Sequence, residues 1–276
     1  MVHRTRVSPG LLFEISRIRK ILSFMGIGAL SQPAKWGIRL RRLGIVVAMT
    51  AEARTLVRKP IIAGELIHLP EGILVQLSGV GARRARGAAK NLLELGASAL
   101  LSWGCAGGLV PALSPGSLVL PRVVIGNDQF SSSTDPTWHE RLSNRLKGCL
   151  DFHQGPLAES AKVLKTSAEK RILSERTGAI AADMESGAVA GMAQEAHVPF
   201  MAIRAIADSL DATIPGTSLA AVDEFGQLNP LKLLRGLIGH PLELFPMIRL
   251  GFNFRAAQAT LAKIVRLAGH NLLVPP

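Results

Sequence analysis

Apolar residues follow two different rhythms along this chain. Toward both ends they recur every three or four positions, the spacing of one helix face. Leu11, Ile15, Ile18, Leu22 and Met25 form such a stripe, with Arg17 and Lys20 off it. Near the other end Leu231, Leu234 and Ile238, then Leu242, Phe245 and Ile248, then Ala257, Leu261 and Ile264 repeat the pattern among Lys232, Arg235, Arg249, Lys263 and Arg266. From Gly44 the rhythm changes to short β-branched runs typical of buried strands. Strands are predicted at 44–49, 73–78, 99–103, 118–125, 179–184 and 199–207. Helices are predicted at 82–95 and 185–196. Gly104–Gly108 is read as ending the third strand, Asn127–Pro136 as a polar loop, and Asp223–Pro230 as a hinge. Strands alternating with helices predict an α/β sheet with helices on both faces. Glycine clusters stand at the strand ends, where such sheets place their ligands.

The chain divides into a basic N-terminal extension (1–43), a central body (44–229) and a basic helical C-terminal extension (230–276). Its formal charge of +12 suggests a nucleic-acid binder until it is located. Residues 1–43 hold nine Lys/Arg against one acid, and 230–276 hold six against one, whereas the body holds 17 against 18. The basic residues are not interleaved with aromatics as single-strand binders prefer, so no specific nucleic acid is expected. A basic amphipathic helix can lie among anionic lipid headgroups, or it can cover one face of a domain with its cations solvated. For the N-terminus a surface anchor or flexible arm is the favoured reading. Ile21–Leu30 has the length of a signal-peptide core but no clean cleavage site after it. Apolar runs fall far short of the ~18 residues of a membrane span. Two cysteines, Cys105 and Cys149, cannot form a disulfide framework, and no metal site is indicated. This cysteine usage points to the cytoplasm, with the basic ends offering contact to the inner face of the membrane.

Four places combine a strand end with polar chemistry. Glu52 follows the first strand; an acid there also suits a helix start. Ser78-Gly-Val-Gly81 offers backbone N–H groups from a tight turn. Gly104-Cys-Ala-Gly-Gly108 lets a planar ring approach the backbone, and Cys105 reads better as a small packed thiol than as a nucleophile. Asp183-Met-Glu-Ser186 opens a helix, and Arg204-Ala-Ile-Ala-Asp208 closes an apolar strand. By period-two alternation Arg204 shares a face with Asp208 and is its expected electrostatic partner.

In this order the motifs resemble the nucleoside phosphorylase and nucleosidase superfamily, in particular the adenosylhomocysteine/methylthioadenosine nucleosidases, from about Gly44 to Asp211. The Asp-Met-Glu-Ser form and the basic helical C-terminus resemble most the hopanoid-associated phosphorylase branch, which acts on adenosylhopane. The resemblance implies a three-layer α/β/α fold with a central mixed sheet, a homo-oligomer of two or more subunits, and cleavage of the N-glycosidic bond of a 5′-substituted adenosine with release of adenine. It implies that Asp208 protonates the departing purine and that Glu52 holds and deprotonates the attacking water. Glu185 would accept from the ribose hydroxyls, Met184 would pack on the ribose, and Arg204 would orient the crevice. The Gly104–Gly108 backbone, with Cys105, Ala106 and Gly107, would line the base pocket, and Gly79 of the Ser78–Gly81 turn would also contact the substrate. No cofactor is implied, only inorganic phosphate as co-substrate if cleavage is phosphorolytic. Two departures stand out. Cys105 replaces the nucleosidases' serine, and Ser102-Trp103 replaces the arginine that phosphorolytic members place before the glycine stretch. Arg54, Arg83 or Arg84 could substitute; otherwise water attacks, which is the favoured reading. The alternatives are a soluble adenosylhomocysteine or methylthioadenosine nucleosidase, a purine nucleoside phosphorylase, or a peripheral membrane protein on a degenerate nucleoside-binding scaffold.

Overall fold

The computed structural model describes residues 42–57, 61, 62, 64–128 and 130–273. The amphipathic stripe expected over 11–25 lies outside the described residues. Eleven strands among them form one mixed sheet in the order β2–β3–β1–β4–β10–β9–β6–β7, with β11 on β4, β5 on β11 and β8 on β5. The strands are β1 (Leu43–Val47), β2 (Leu66–Leu69), β3 (Ile73–Leu77), β4 (Ala99–Gly108), β5 (Leu118–Val119), β6 (Val123–Ile125), β7 (Ser131–Ser133), β8 (Phe152–His153), β9 (Leu157–Glu159), β10 (Ala181–Asp183) and β11 (Phe200–Asp208). The helices are α1 (Thr50–Leu56), α2 (Ala82–Glu94), α3 (Pro136–Leu146), α4 (Ser167–Thr177), α5 (Ser186–Glu195), α6 (Gly216–Ala220), α7 (Pro230–Gly239) and α8 (Leu244–Leu273).

The sheet divides the core in two. One layer joins inward residues such as Ile45, Leu101 and Ile203 to Ala53 of α1, Leu142 of α3, and Ala257, Leu261 and Ile264 of α8. The other joins Val46, Leu100 and Ala202 to Ala85, Ala89 and Leu92 of α2 and Val189 and Ala193 of α5. Small residues on α2 and α5 let the helices sit close to the strands. The expected three-layer α/β/α architecture with a mixed sheet is thus the observed one.

Four local expectations need correction. The glycines at 104–108 do not break their strand. β4 continues through Gly108, because β11 pairs with it in parallel as far as Gly107 and β10 pairs antiparallel at Gly107 and Gly108. The run expected over 118–125 is two strands, since Pro121 interrupts it and the chain changes partners there, from β8 and β11 to β7 and β9. Within the polar stretch 127–136, Ser131–Ser133 forms a hairpin with β6. The expected hinge at 223–230 is a packed turn: Thr50 N–H donates to Phe225 O (3.0 Å) and Val80 N–H to Glu224 O (2.7 Å).

The C-terminal helices behave in two ways. Ala257, Leu261, Ile264 and Ala268 are buried against the sheet, as a covering helix requires. Leu231, Leu234, Ile238, Leu242, Phe245, Ile248 and Phe252 are exposed.

Candidate active site

Two buried carboxylates, Glu52 and Asp208, rest on the C-terminal half of β4, and a third, Glu185, stands at the start of α5. Glu52 stands at the third position of α1, where its Oε2 accepts from Met49 N–H (3.0 Å) in a capping box. Its Oε1 reaches across to accept from Cys105 N–H (2.7 Å). Trp103 Nε1–H donates to Thr55 Oγ1 (2.9 Å), fastening α1 to the same strand. A Cβ at position 104 would lie 2.6 Å from Glu52 Oε1, so glycine is what lets the carboxylate rest on the strand. Burial pushes the Glu52 carboxyl up, against the opposing pull of Arg204 and its hydrogen bonds to Cys105 and Met49. Burial thus makes this carboxylate a stronger base than an exposed one, which suits it to take a proton from water.

Asp208 closes β11 on the other edge of β4. A Cβ on Gly107 would sit 3.2 Å from its Oδ2, so this second carboxylate also rests on a glycine. Asp208 is buried, and burial raises its carboxyl above the ordinary aspartate value while Lys170 pulls it down. Lys170, from α4, donates to Asp208 Oδ2, to Ser209 O (2.6 Å) and to Ala212 O (3.2 Å). Nothing in the sequence reading pointed to Lys170.

Glu185 caps α5 just beyond β10, with Oε1 accepting from Gly81 N–H (2.8 Å) and Oε2 from Met184 N–H (3.2 Å). The turn residue that meets this carboxylate is Gly81. Gly79 packs instead under the side chain of Arg84 and the carbonyl of Glu224. Burial first, then the negative charge of Asp183, push the Glu185 carboxyl up to about 8, against the pull of Arg204. Met184 is half-buried beside it.

Arg204 does not pair with Asp208. β11 carries a bulge in which Ile206 faces Ala106 but Asp208 faces Gly107, so the period-two alternation is lost between Arg204 and Asp208. Arg204 Nε–H donates to Asp183 Oδ2 (2.7 Å), and its Nη2 donates to Ser102 Oγ (2.6 Å) and Ser186 Oγ (3.0 Å). This network ties β4, β10, β11 and α5 together beneath the crevice. Its positive charge still acts on Glu52 and Glu185.

Cys105 is half-buried between Glu52 and Asp208, and burial with the charge of Glu52 raises its thiol well above the usual range. It stays a thiol, which suits a packing role rather than a nucleophile. Of the three arginines considered for phosphate, Arg54 and Arg83 are exposed, and Arg84 is paired with Glu224. Ala106 is buried in β4 between the positions of Glu52 and Asp208.

Glu52 and Asp208 rest on the central strand β4, and Glu185 joins the turn after β3 to the start of α5, so the acids gather where the parallel strands of an α/β sheet end. Residues 42–234 match the Phosphorylase superfamily, and the chain belongs to it. Among solved structures, a Helicobacter pylori 5′-methylthioadenosine/S-adenosylhomocysteine nucleosidase superposes with a TM-score of 0.62 at 18% identity, covering 85% of this chain and 98% of that one. The futalosine hydrolase of Helicobacter pylori gives 0.63 at 18%, covering 84% and 98%. An S-adenosylhomocysteine nucleosidase from Streptococcus pyogenes gives 0.63 at 17%, covering 86% and 99%. At this identity the likeness is one of fold. A search of curated proteins found no match.

Proposed function

We propose that this protein cleaves the N-glycosidic bond of a 5′-substituted adenosine and releases adenine. The observation that carries the reading is the placement of Glu52 and Asp208 on Gly104 and Gly107 of one strand, with Glu185 beside them at the start of α5. In this scheme the C1′–N9 electron pair leaves with the purine while the O–H bond of Asp208 breaks and an N–H bond forms at N7. Such a positioned acid contributes about 10²–10⁴-fold. Water held by Glu52 adds its oxygen to C1′ and gives its proton to the Glu52 carboxylate. Glu185 accepts from the ribose hydroxyls, an interaction that strengthens as the sugar becomes cationic. Hydrolysis rather than phosphorolysis is favoured because the buried cations are committed, Arg204 to Asp183 and Lys170 to Asp208, while of the other candidates Arg84 is paired with Glu224 and Arg54 and Arg83 are exposed.

For the 5′ substituent we propose a large apolar lipid, adenosylhopane being the candidate. The support is a surface. Beyond the turn that packs on Thr50 and Val80, α7, the short turn after it and the first half of α8 expose Ile238, Leu242, Phe245 and Phe252 at 76, 89, 80 and 64%. Lys232, Arg235, Arg249 and Arg255 accompany them, and the one acid of the segment, Glu243, is bound by the backbone N–H (3.1 Å) and hydroxyl of Thr217. An apolar, cationic surface of this kind suits the headgroup layer of an anionic bilayer, where a lipid-bearing nucleoside resides. No helix among the described residues is long and apolar enough to cross a membrane.

The test is to offer 5′-methylthioadenosine, adenosylhomocysteine, adenosine and a lipid-bearing adenosine, with and without phosphate, and to follow adenine and the sugar product. Free adenine and unphosphorylated sugar without added phosphate support the proposal. Absence of adenine from every substrate overturns it, and strict dependence on phosphate overturns hydrolysis. Parent protein should pellet with phosphatidylglycerol-containing vesicles, and Leu242→Asp/Phe245→Asp should not; equal recovery in the supernatant would contradict membrane contact.

A further inference from the structure

We propose that Lys170 is a positioning residue for the acid: it occupies Oδ2 of Asp208, so that Oδ1 is the oxygen presented to the departing base. The inference rests on the reading of Asp208 given above. Lys170 lies in a largely polar helix, SAEKRILSERT, whose other buried residue is the apolar Leu173. Its neighbour Arg171 is exposed, as is Lys162 just before the helix, whereas the Lys170 side chain is 1% exposed. A buried ammonium is costly unless every donor is used. Here all three are: one goes to Asp208 Oδ2 and two to the carbonyls of Ser209 and Ala212.

Two consequences follow from that arrangement. The carbonyl contacts wrap the segment directly after β11 around the ammonium, which fixes the backbone on which the acid is mounted. The carboxylate contact divides the two oxygens. Both oxygens stand over Gly107, at 3.2 Å (Oδ2) and 3.4 Å (Oδ1) from where its Cβ would be, but among the described residues no hydrogen bond is made to Oδ1. As the proton leaves Oδ1 for the base, the carboxylate becomes anionic against a cation already in place. No reorganisation is then needed at the moment of reaction. A leucine at position 170 would give a better buried side chain for α4 but neither effect.

The experiment uses the full chain, with 5′-methylthioadenosine as probe for turnover and ¹³C NMR titration of the Asp208 side chain, assigned with Asp208→Asn, as a readout that needs no turnover. In Lys170→Met the Asp208 carboxyl should titrate at higher pH, because a neighbouring cation no longer favours the anion. The basic limb of the pH–rate profile should move up with it, and kcat should fall about 10–100-fold with KM changed less than about threefold. Lys170→Arg should restore the titration and most of kcat. An unshifted Asp208 titration, or parental kcat in Lys170→Met, overturns the proposal. Should the methionine variant not fold, Lys170→Gln keeps a donor to Oδ2 without the charge, and an unmoved titration there overturns it equally. A parent that turns over no nucleoside rejects the reading of the site, whereas the titration still judges Lys170.

Discussion

Arg204–Asp183 and Lys170–Asp208 are both cation–carboxylate pairs shut away from bulk water, yet they are built differently. In the first, side-chain exposure is 2% and 1%, and Asp183 Oδ2 accepts from both Arg204 and Ser186 while Ser186 N–H donates to the same carboxylate. In the second, the lysine is as deeply buried but the aspartate keeps one oxygen without a hydrogen bond among the described residues, and its side chain is 11% exposed. Both oxygens of Asp183 are engaged by protein donors and shut from solvent, whereas Asp208, among the described residues, keeps one oxygen free of protein donors on a partly exposed side chain, open to a substrate. The first pair holds elements together, and the second, on our proposal, holds a reacting group ready.

The comparison can be broken most severely at Arg204. Arg204→Leu leaves Asp183 buried without its cation and should cost about 3–5 kcal/mol in chemical denaturation. A loss below about 1 kcal/mol would show that the pair is not structural. Glu185, next to this pair, gives the next effect. Its folded-state carboxyl titrates near 8 against 4.5 in an exposed chain. Between those pH values the unfolded chain has released a proton that the native protein still holds, so stability should fall as pH rises from about 4.5 to 8, at up to about 1 kcal/mol per pH unit. Glu185→Gln should flatten that slope, and an unchanged slope in the variant would reject Glu185 as its source. Ribose hydroxyls favour the ionised form, so a bound nucleoside analogue should release a proton near pH 7, measurable by calorimetry in two buffers. Ser102→Ala, which removes one acceptor of Arg204 Nη2, should cost a smaller amount, about 1–2 kcal/mol. Leu242→Ser, on the exposed apolar surface, should leave the unfolding free energy within about 0.5 kcal/mol of the parent. A larger loss would mean that this surface is covered within the protein.

The legible parts of this molecule are those in which sequence neighbours decide the outcome. β1, β3 and β11 are buried apolar runs, and Glu52 just beyond the first and Asp208 at the end of the last stand out in the sequence by that position alone. Arg204 was assigned the wrong partner because a bulge of one residue changes which face Asp208 occupies, and nothing in Arg-Ala-Ile-Ala-Asp announces it. Lys170 was invisible for a different reason: it looks like any lysine on a polar helix, and its partner lies 38 residues away. Glu159 was missed likewise; it is buried beside β10 and accepts from Ala188 N–H (2.9 Å). Short strands such as β5 and β8 owe their existence to pairing with distant segments rather than to any run of their own.

The most direct measurement is adenine release by Asp208→Asn against the parent, on protein whose near-ultraviolet circular dichroism matches. Loss of the proton donor at the strand end predicts a rate lower by about 10²–10⁴-fold in a folded protein. Turnover within a few-fold of the parent would contradict the assignment of Asp208 as the acid, and with it the reading of this crevice.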